Sequence, residues 1–253
     1  MSRLLRSFIL LALMGISVKG VCQITADNVR EGLKGKVATM KKTYYGIYPD
    51  IINSSSVSLF DAQGYIINAV NSDSLQSPAQ IWKFKYDDKK KLLKLTTVKG
   101  SKILSVYTNI YDTRGYLVQQ NMSTNQRTYF KPVRYFFKYN KQGQLIEIYS
   151  ETYGIDIRPS KEVFTYDKNG LRITQSTYNS GGYLIDKVFM TYNENRDIIK
   201  SVYYYNVMSP DKLSTTLYNY TYDKKGNWVV KRRKDSYSNK FEIIQTRKIT
   251  YHQ

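Results

Sequence analysis

The chain has 253 residues, with 39 lysines and arginines against 20 acids for a net charge of +19, and it carries 25 tyrosines. Its single cysteine excludes an internal disulfide and a thiolate metal centre. Its single histidine, His252, is next to last, where chain ends fray, which argues against a histidine-based catalytic set or a multi-histidine metal site.

Residues 1–22 have the pattern of an export signal. Arg3 and Arg6 form a basic start, an apolar run from Phe8 to Val18 is too short to span a bilayer, and small residues precede Gln23. Cleavage there leaves a chain of 36 basic against 20 acidic residues with no transmembrane segment. Two alternatives stay open: acylation of Cys22 as a lipoprotein, and retention of the segment as an anchor. The remainder, 23–253, suffices for one domain and one core.

After a short polar stretch around Ala26–Arg30, Leu33 to Tyr45 reads as the second strand of a hairpin lacking its first. A unit then recurs: aromatic-Asp/Asn-x-x-Gly-x-apolar. Its copies start at Phe60, Tyr86, Tyr111, Tyr139, Tyr166, Tyr192 and Tyr222, at spacings of 26, 25, 28, 27, 26 and 30 residues, and a further step of 29 reaches Tyr251. A fixed period of this size marks a repeat architecture. Before each turn the residues alternate, as in Trp82, Phe84 and Tyr86 against Lys83 and Lys85, which is the signal of a strand. The Asp or Asn bonds its own backbone two residues on, and the glycine supplies the left-handed residue of a three-residue hairpin loop. Lys90 and Arg196 stand where that glycine is expected, so those two turns should be strained or of another type. The loop pairs Tyr86 with Leu92, Tyr111 with Leu117, Tyr139 with Leu145 and Tyr222 with Trp228, each pair contributing roughly 0.2–1 kcal/mol.

The tally is a half unit, seven hairpins and a final half unit from Lys240 to Tyr251. The expected fold is all-β: an antiparallel up-and-down meander of about 16 strands in a curved or coiled sheet. The half units either cap its two edges or pair and close it. Such a meander puts the aromatic-Asp turns on one rim and the other connections on the opposite rim. Four of these are long, near 71–80, 123–132, 152–160 and 206–212, and two are tight, at Lys99–Gly100 and Ser180–Gly182. Binding residues favour loops on a rigid scaffold, which points to this second rim.

The segment from Tyr220 to Trp228 resembles the YD (RHS-type) repeat, Tyr-x-Tyr-Asp-x-x-Gly-x-Leu, and Phe84 to Leu92 matches it in part. The resemblance implies long antiparallel sheets that coil into shells on exported proteins, where family members enclose toxins or act in adhesion and carbohydrate contact. The chain differs in its longer period and in having no toxin or processing domain after the repeats. It is more similar to the short exported YD-type proteins of Bacteroidetes, for which the resemblance implies a fold and no activity.

The acids are few, and Asp61, Asp87, Asp112, Asp167 and Asp223 are committed to turns. Glu147 and Glu151 share a strand face but stand ~13 Å apart, beyond the ~6.5–9.5 Å of an inverting glycosidase pair. Glu162, Glu194 and Glu242 have no partner assignable from sequence. No phosphate loop is present, and neither a metal site nor a cofactor is expected. Two basic clusters stand out, Lys83–Lys102 and Lys224–Lys248, and suit an anionic polymer or surface; equally, lysines coat the wet face of a sheet. The candidate contacts are Lys231, Arg233, Arg247 and Lys248, together with tyrosines outside the repeat register: Tyr153, Tyr183 and Tyr205, besides Tyr44 and Tyr48. The function expected is a non-enzymatic exported binding or scaffold module at the bacterial envelope, in the periplasm or at the surface. Its partner is an anionic polysaccharide, an envelope component or a protein, and export argues against nucleic acid. The alternative is an envelope hydrolase or inhibitor with its site on the long-connection rim.

Overall fold

In the computed structural model, residues 32–45, 52–73, 79–124, 132–152, 160–205, 213–236 and 240–253 are described. Residues 1–22, read above as an export signal, and Tyr48 and Tyr153 lie outside them. Sixteen strands run through these residues: β1 (Val37–Tyr45), β2 (Ile52–Phe60), β3 (Ile66–Asp73), β4 (Gln80–Tyr86), β5 (Leu92–Lys99), β6 (Lys102–Tyr111), β7 (Leu117–Thr124) and β8 (Val133–Tyr139). The second half continues with β9 (Leu145–Thr152), β10 (Ser160–Tyr166), β11 (Arg172–Tyr178), β12 (Leu184–Tyr192), β13 (Ile198–Tyr205), β14 (Leu213–Tyr222), β15 (Trp228–Asp235) and β16 (Glu242–Tyr251).

Each strand pairs antiparallel with its neighbours in sequence, so the expected meander holds. The sheet is not an open curved or coiled one: β1 pairs with β16 from Val37↔Tyr251 to Tyr44↔Gln245 and closes a barrel. Pairing the two half units satisfies both edges, which an open sheet would leave as unpaired ladders.

The turns follow from the motif. The side chains of Asp61, Asn140, Asp167 and Asp223 accept the backbone N–H two residues on at 2.9–3.0 Å, as expected. A second bond, four residues on, locks the loop at 2.7–2.9 Å in all seven hairpins. Lys90 (φ 61) and Arg196 (φ 68) keep the left-handed backbone and the bond of their N–H to Asp87 and Asn193, both at 2.9 Å. These turns therefore retain the common type and carry the strain that a side chain has there. An eighth copy, Tyr178-Asn179-Ser180-Gly181-Gly182-Tyr183-Leu184, forms the same turn on the opposite rim.

The four cross-strand pairs expected from the loops are all present, each followed by a register shift. The shift is a β-bulge, and a bulge interrupts the ladder and leaves carbonyls to satisfy. The motif tyrosine of the next repeat does this. Tyr86, Tyr111, Tyr139, Tyr166 and Tyr192 donate their hydroxyls to the carbonyls of Ile66, Leu92, Leu117, Leu145 and Arg172 at 2.7–3.1 Å, and Tyr220 does the same to Ile198 at 2.8 Å. Phe60, the first copy, is the one that lacks a hydroxyl. Its own carbonyl lies 3.2 Å from Nε2 of His252, whose backbone N–H bonds Lys36 at 2.8 Å. His252 is thus pinned at the seam and not frayed.

Among the described residues apolar burial comes in three separate clusters, around Met40 and Phe60, around Tyr107 and Leu95, and around Phe137 and Phe164. The element contacts run between strands adjacent in the ring. Sixteen strands enclose more space than side chains fill, so the barrel has a lumen and its core is a lining.

Candidate functional site

Alternation gives the wall two faces. Along β6, Ser105, Tyr107, Asn109 and Tyr111 lie on the more buried face, and Thr108 and Ile110 on the exposed one. In a closed sheet the crowded, buried face is the concave one, so the ladder tyrosines face the lumen. Register carries this parity around the ring. Lys85 opposite Lys94, Lys138 opposite Glu147, Arg134 opposite Glu151 and Lys41 opposite Lys248 face outward. Glu147 pairs with Lys138 at 2.6 Å and Glu151 with Arg134 at 3.7 Å, so both acids are spent in ion pairs on the outer face.

The candidate cluster of β15 and β16 is divided by the same rule. Lys231 is opposite Tyr220 and Arg233 opposite Tyr218, and all four face inward, whereas Arg232 is opposite Asn219 and faces outward. On β16, Arg247 is buried and faces inward opposite Lys42, while Lys248 faces outward opposite Lys41. The structure therefore brings Lys231, Arg233 and Arg247 together on the inner wall and leaves Lys248 on the other side.

Aromatic rings seat these cations. The Lys231 ammonium lies 4.4 Å from the centroid of Tyr218 and 5.7 Å from that of Tyr220, and the Arg247 guanidinium lies 3.5 Å over Trp228. Burial, and then the charge of Arg247, bring the Lys231 pKa down to about 8. Burial pushes the Tyr218 and Tyr220 phenols upward. Arg233 is compensated by Asp235 at 3.1 Å; no ion pair among the described residues engages Lys231.

Of the candidate tyrosines, Tyr183 sits in the extra turn between β11 and β12 and is 73% exposed. Tyr205 ends β13 on the inner face of that same rim, 42% exposed and stacked on Tyr203 at 6.1 Å between ring centroids. Tyr183 and Tyr205 thus mark the long-connection rim, apart from the cations farther along the wall. Sequence reasoning missed a second inner feature. Glu162 on β10, Thr177 on β11 and Asp186 on β12 are in register across three strands. Burial, opposed by Arg172 and aided by Asp186, raises the Glu162 pKa to about 7, and Gln175 donates to its carboxyl at 3.0 Å. The available signal was parity: Glu162 is four residues before the motif residue Tyr166. Among the described residues no group of three or more His, Cys, Asp or Glu side chains is placed to hold a metal ion.

Comparison with protein-family models and with curated proteins gives no match. Among solved structures the chain is similar to a porin-like protein from Bacteroides uniformis, at 11% identity and a TM-score of 0.58, covering 86% of this chain and 99% of that one. That likeness is one of fold. A structure of TcdB2-TccC3 aligns at 11% identity and a TM-score of 0.38 over 84% of this chain and 14% of that one.

Proposed function

We propose that this chain is a non-enzymatic exported binding or scaffold module of the bacterial envelope that works in water and presents its lumen wall to an anionic glycan or a protein. The observation that carries the reading is the polarity of the barrel. A lipid-spanning barrel is apolar outside, and a lysine or arginine there at mid-bilayer costs ~2–4 kcal/mol. Here Lys41, Lys85, Lys94, Arg134, Lys138, Arg232 and Lys248 face outward on six different strands, while the ladder tyrosines and the buried apolar clusters face inward. Apolar residues such as Ile110 and Leu217 are exposed as well, but cations spread around the ring suit a barrel in water with a solute in its lumen, not a bilayer around it. Capture of envelope glycan fractions by the purified chain tests this. Retention of an acidic fraction that elutes with salt supports it, and stable insertion into lipid vesicles overturns it.

One observation favours a hydrolase as the second reading. Glu162, holding a proton near neutrality, and Asp186 stand two strand spacings apart on the inner wall, ~9.5 Å, near the upper end of an inverting carboxyl pair. Turnover of an envelope glycan that is lost in Glu162→Gln would replace the first reading with this one.

A further inference from the structure

Three adjacent strands, β1, β16 and β15, each place a cation on the same inner wall. Lys42 is opposite Arg247, and Lys231 is opposite Gln245, two residues along β16 from Arg247. The ring platforms behind them, Tyr218 and Tyr220 for Lys231 and Trp228 for Arg247, hold the charged heads from behind at 3.5–5.7 Å. Lys231 and Arg247 oppose each other on a buried wall, a cost that Asp197 offsets in part for Lys231 and that a bound anion offsets further. We propose that this inner wall is a binding site for the acid group of a small anionic saccharide, with Lys231, Arg247 and Lys42 contacting the carboxylate or sulfate. Tyr218 and Tyr220 hold Lys231 in place for that contact, and the sugar ring extends along the wall from the acid group.

Arginine over an indole keeps its edge N–H groups directed away from the ring plane's face, which suits a planar or tetrahedral oxyanion. Lysine supplies a point charge whose donors rotate to the ligand. The proposal rests on the lumen-binding reading above and adds to it the wall, the residues and the ligand class.

The test is calorimetric titration of the full chain with sulfate, glucuronate, a sulfated disaccharide and a neutral disaccharide of equal size. The sulfated disaccharide is expected to bind, with affinity at least tenfold lower in Lys231→Gln and in Arg247→Gln and unchanged in the outward-facing Arg232→Gln and Lys248→Gln. Equal losses in inward and outward variants overturn the site, as does failure of every acidic probe to bind. Sulfate or glucuronate binding as tightly as the disaccharide overturns the saccharide assignment. Should Arg247→Gln fail to fold, Lys231→Met keeps the idea testable. Removing a buried cation that stands beside Arg247 is expected to raise the Tm of the ligand-free protein while abolishing binding, whereas a merely structural lysine would lower it. Glycan capture that persists in Lys231→Gln sinks this site and spares the envelope reading. Lys231-dependent binding of the disaccharide without any envelope capture does the reverse.

Discussion

The side chain of Asn227 grips Lys34 from both sides, accepting its backbone N–H at 2.5 Å and donating to its carbonyl at 2.9 Å. Asn227 is 1% exposed and donates also to Tyr251, whose hydroxyl reaches Asp223 at 2.6 Å. One residue of the last full hairpin thereby ties the start of the described chain to its end. Asn227→Ala leaves the N–H and carbonyl of Lys34 without their partner and is expected to cost about 1–2 kcal/mol. Hydrogen exchange should show β1 and β16 losing protection before β8 and β9. Uniform loss around the ring would contradict a local clasp.

The tyrosine ladder predicts an asymmetry between two chemically small changes. Tyr139→Phe removes the donor to Leu117 and strands a bulge carbonyl, at a cost of about 1–2 kcal/mol. Phe60→Tyr adds a hydroxyl to a buried ring packed against Val37 and Met40, beside a bulge carbonyl at the seam that the present chain satisfies without it, and should bring no gain. Denaturant midpoints of the two variants check this, and a stabilising Phe60→Tyr would show that the ladder has been misassigned.

The left-handed turn residues predict opposite signs. Gly226→Val forces a β-branched side chain to φ +77, which should destabilise by about 1–2 kcal/mol. Arg196→Val starts from a residue that already has a side chain at φ 68 and should cost far less. Lys90→Gly and Arg196→Gly relieve existing strain and should stabilise by about 0.5–1 kcal/mol after the extra entropy of unfolded glycine. Thermal melts of the four variants decide the matter.

Glu162 gives a pH dependence with a definite sign. Its pKa rises from 4.5 to about 7 on folding, chiefly through burial. Between those values the unfolded carboxyl is ionised and the folded one holds its proton, so the folded state binds more protons there. Stability must fall as pH rises through this window. Glu162→Gln should flatten the Tm between pH 4.5 and 7, and an unchanged slope would mean that the carboxyl is solvated.

Much of this fold was legible because the turn motif fixes local geometry residue by residue. Asp223 and Gly226 can form few other loops, and the distance from Tyr222 to Trp228 sets the pairing. Closure was not legible: whether sixteen strands coil or meet depends on accumulated twist and stagger, which no single residue encodes. The turn at Asn179 was written plainly in the chain but falls out of period and on the opposite rim. The inner site was half legible. Alternation implied that the Lys231–Lys234 run would be split between faces, yet the bulge after Trp228 decides which members turn inward, and a bulge is set by the pairing of two strands.

Closure also sets the order in which the molecule can be assembled. The hairpins are local and can form as the chain emerges, each within its own ~27 residues. The joint between Lys34 and Asn227 spans 193 positions and waits for nearly all the rest. Until β16 arrives, β1 is an unsatisfied edge beside a growing sheet, the state in which one molecule can donate its last strand to another. The ring therefore has a slow final step that none of its repeats has, and at high concentration its characteristic error is a chain of barrels joined strand to strand.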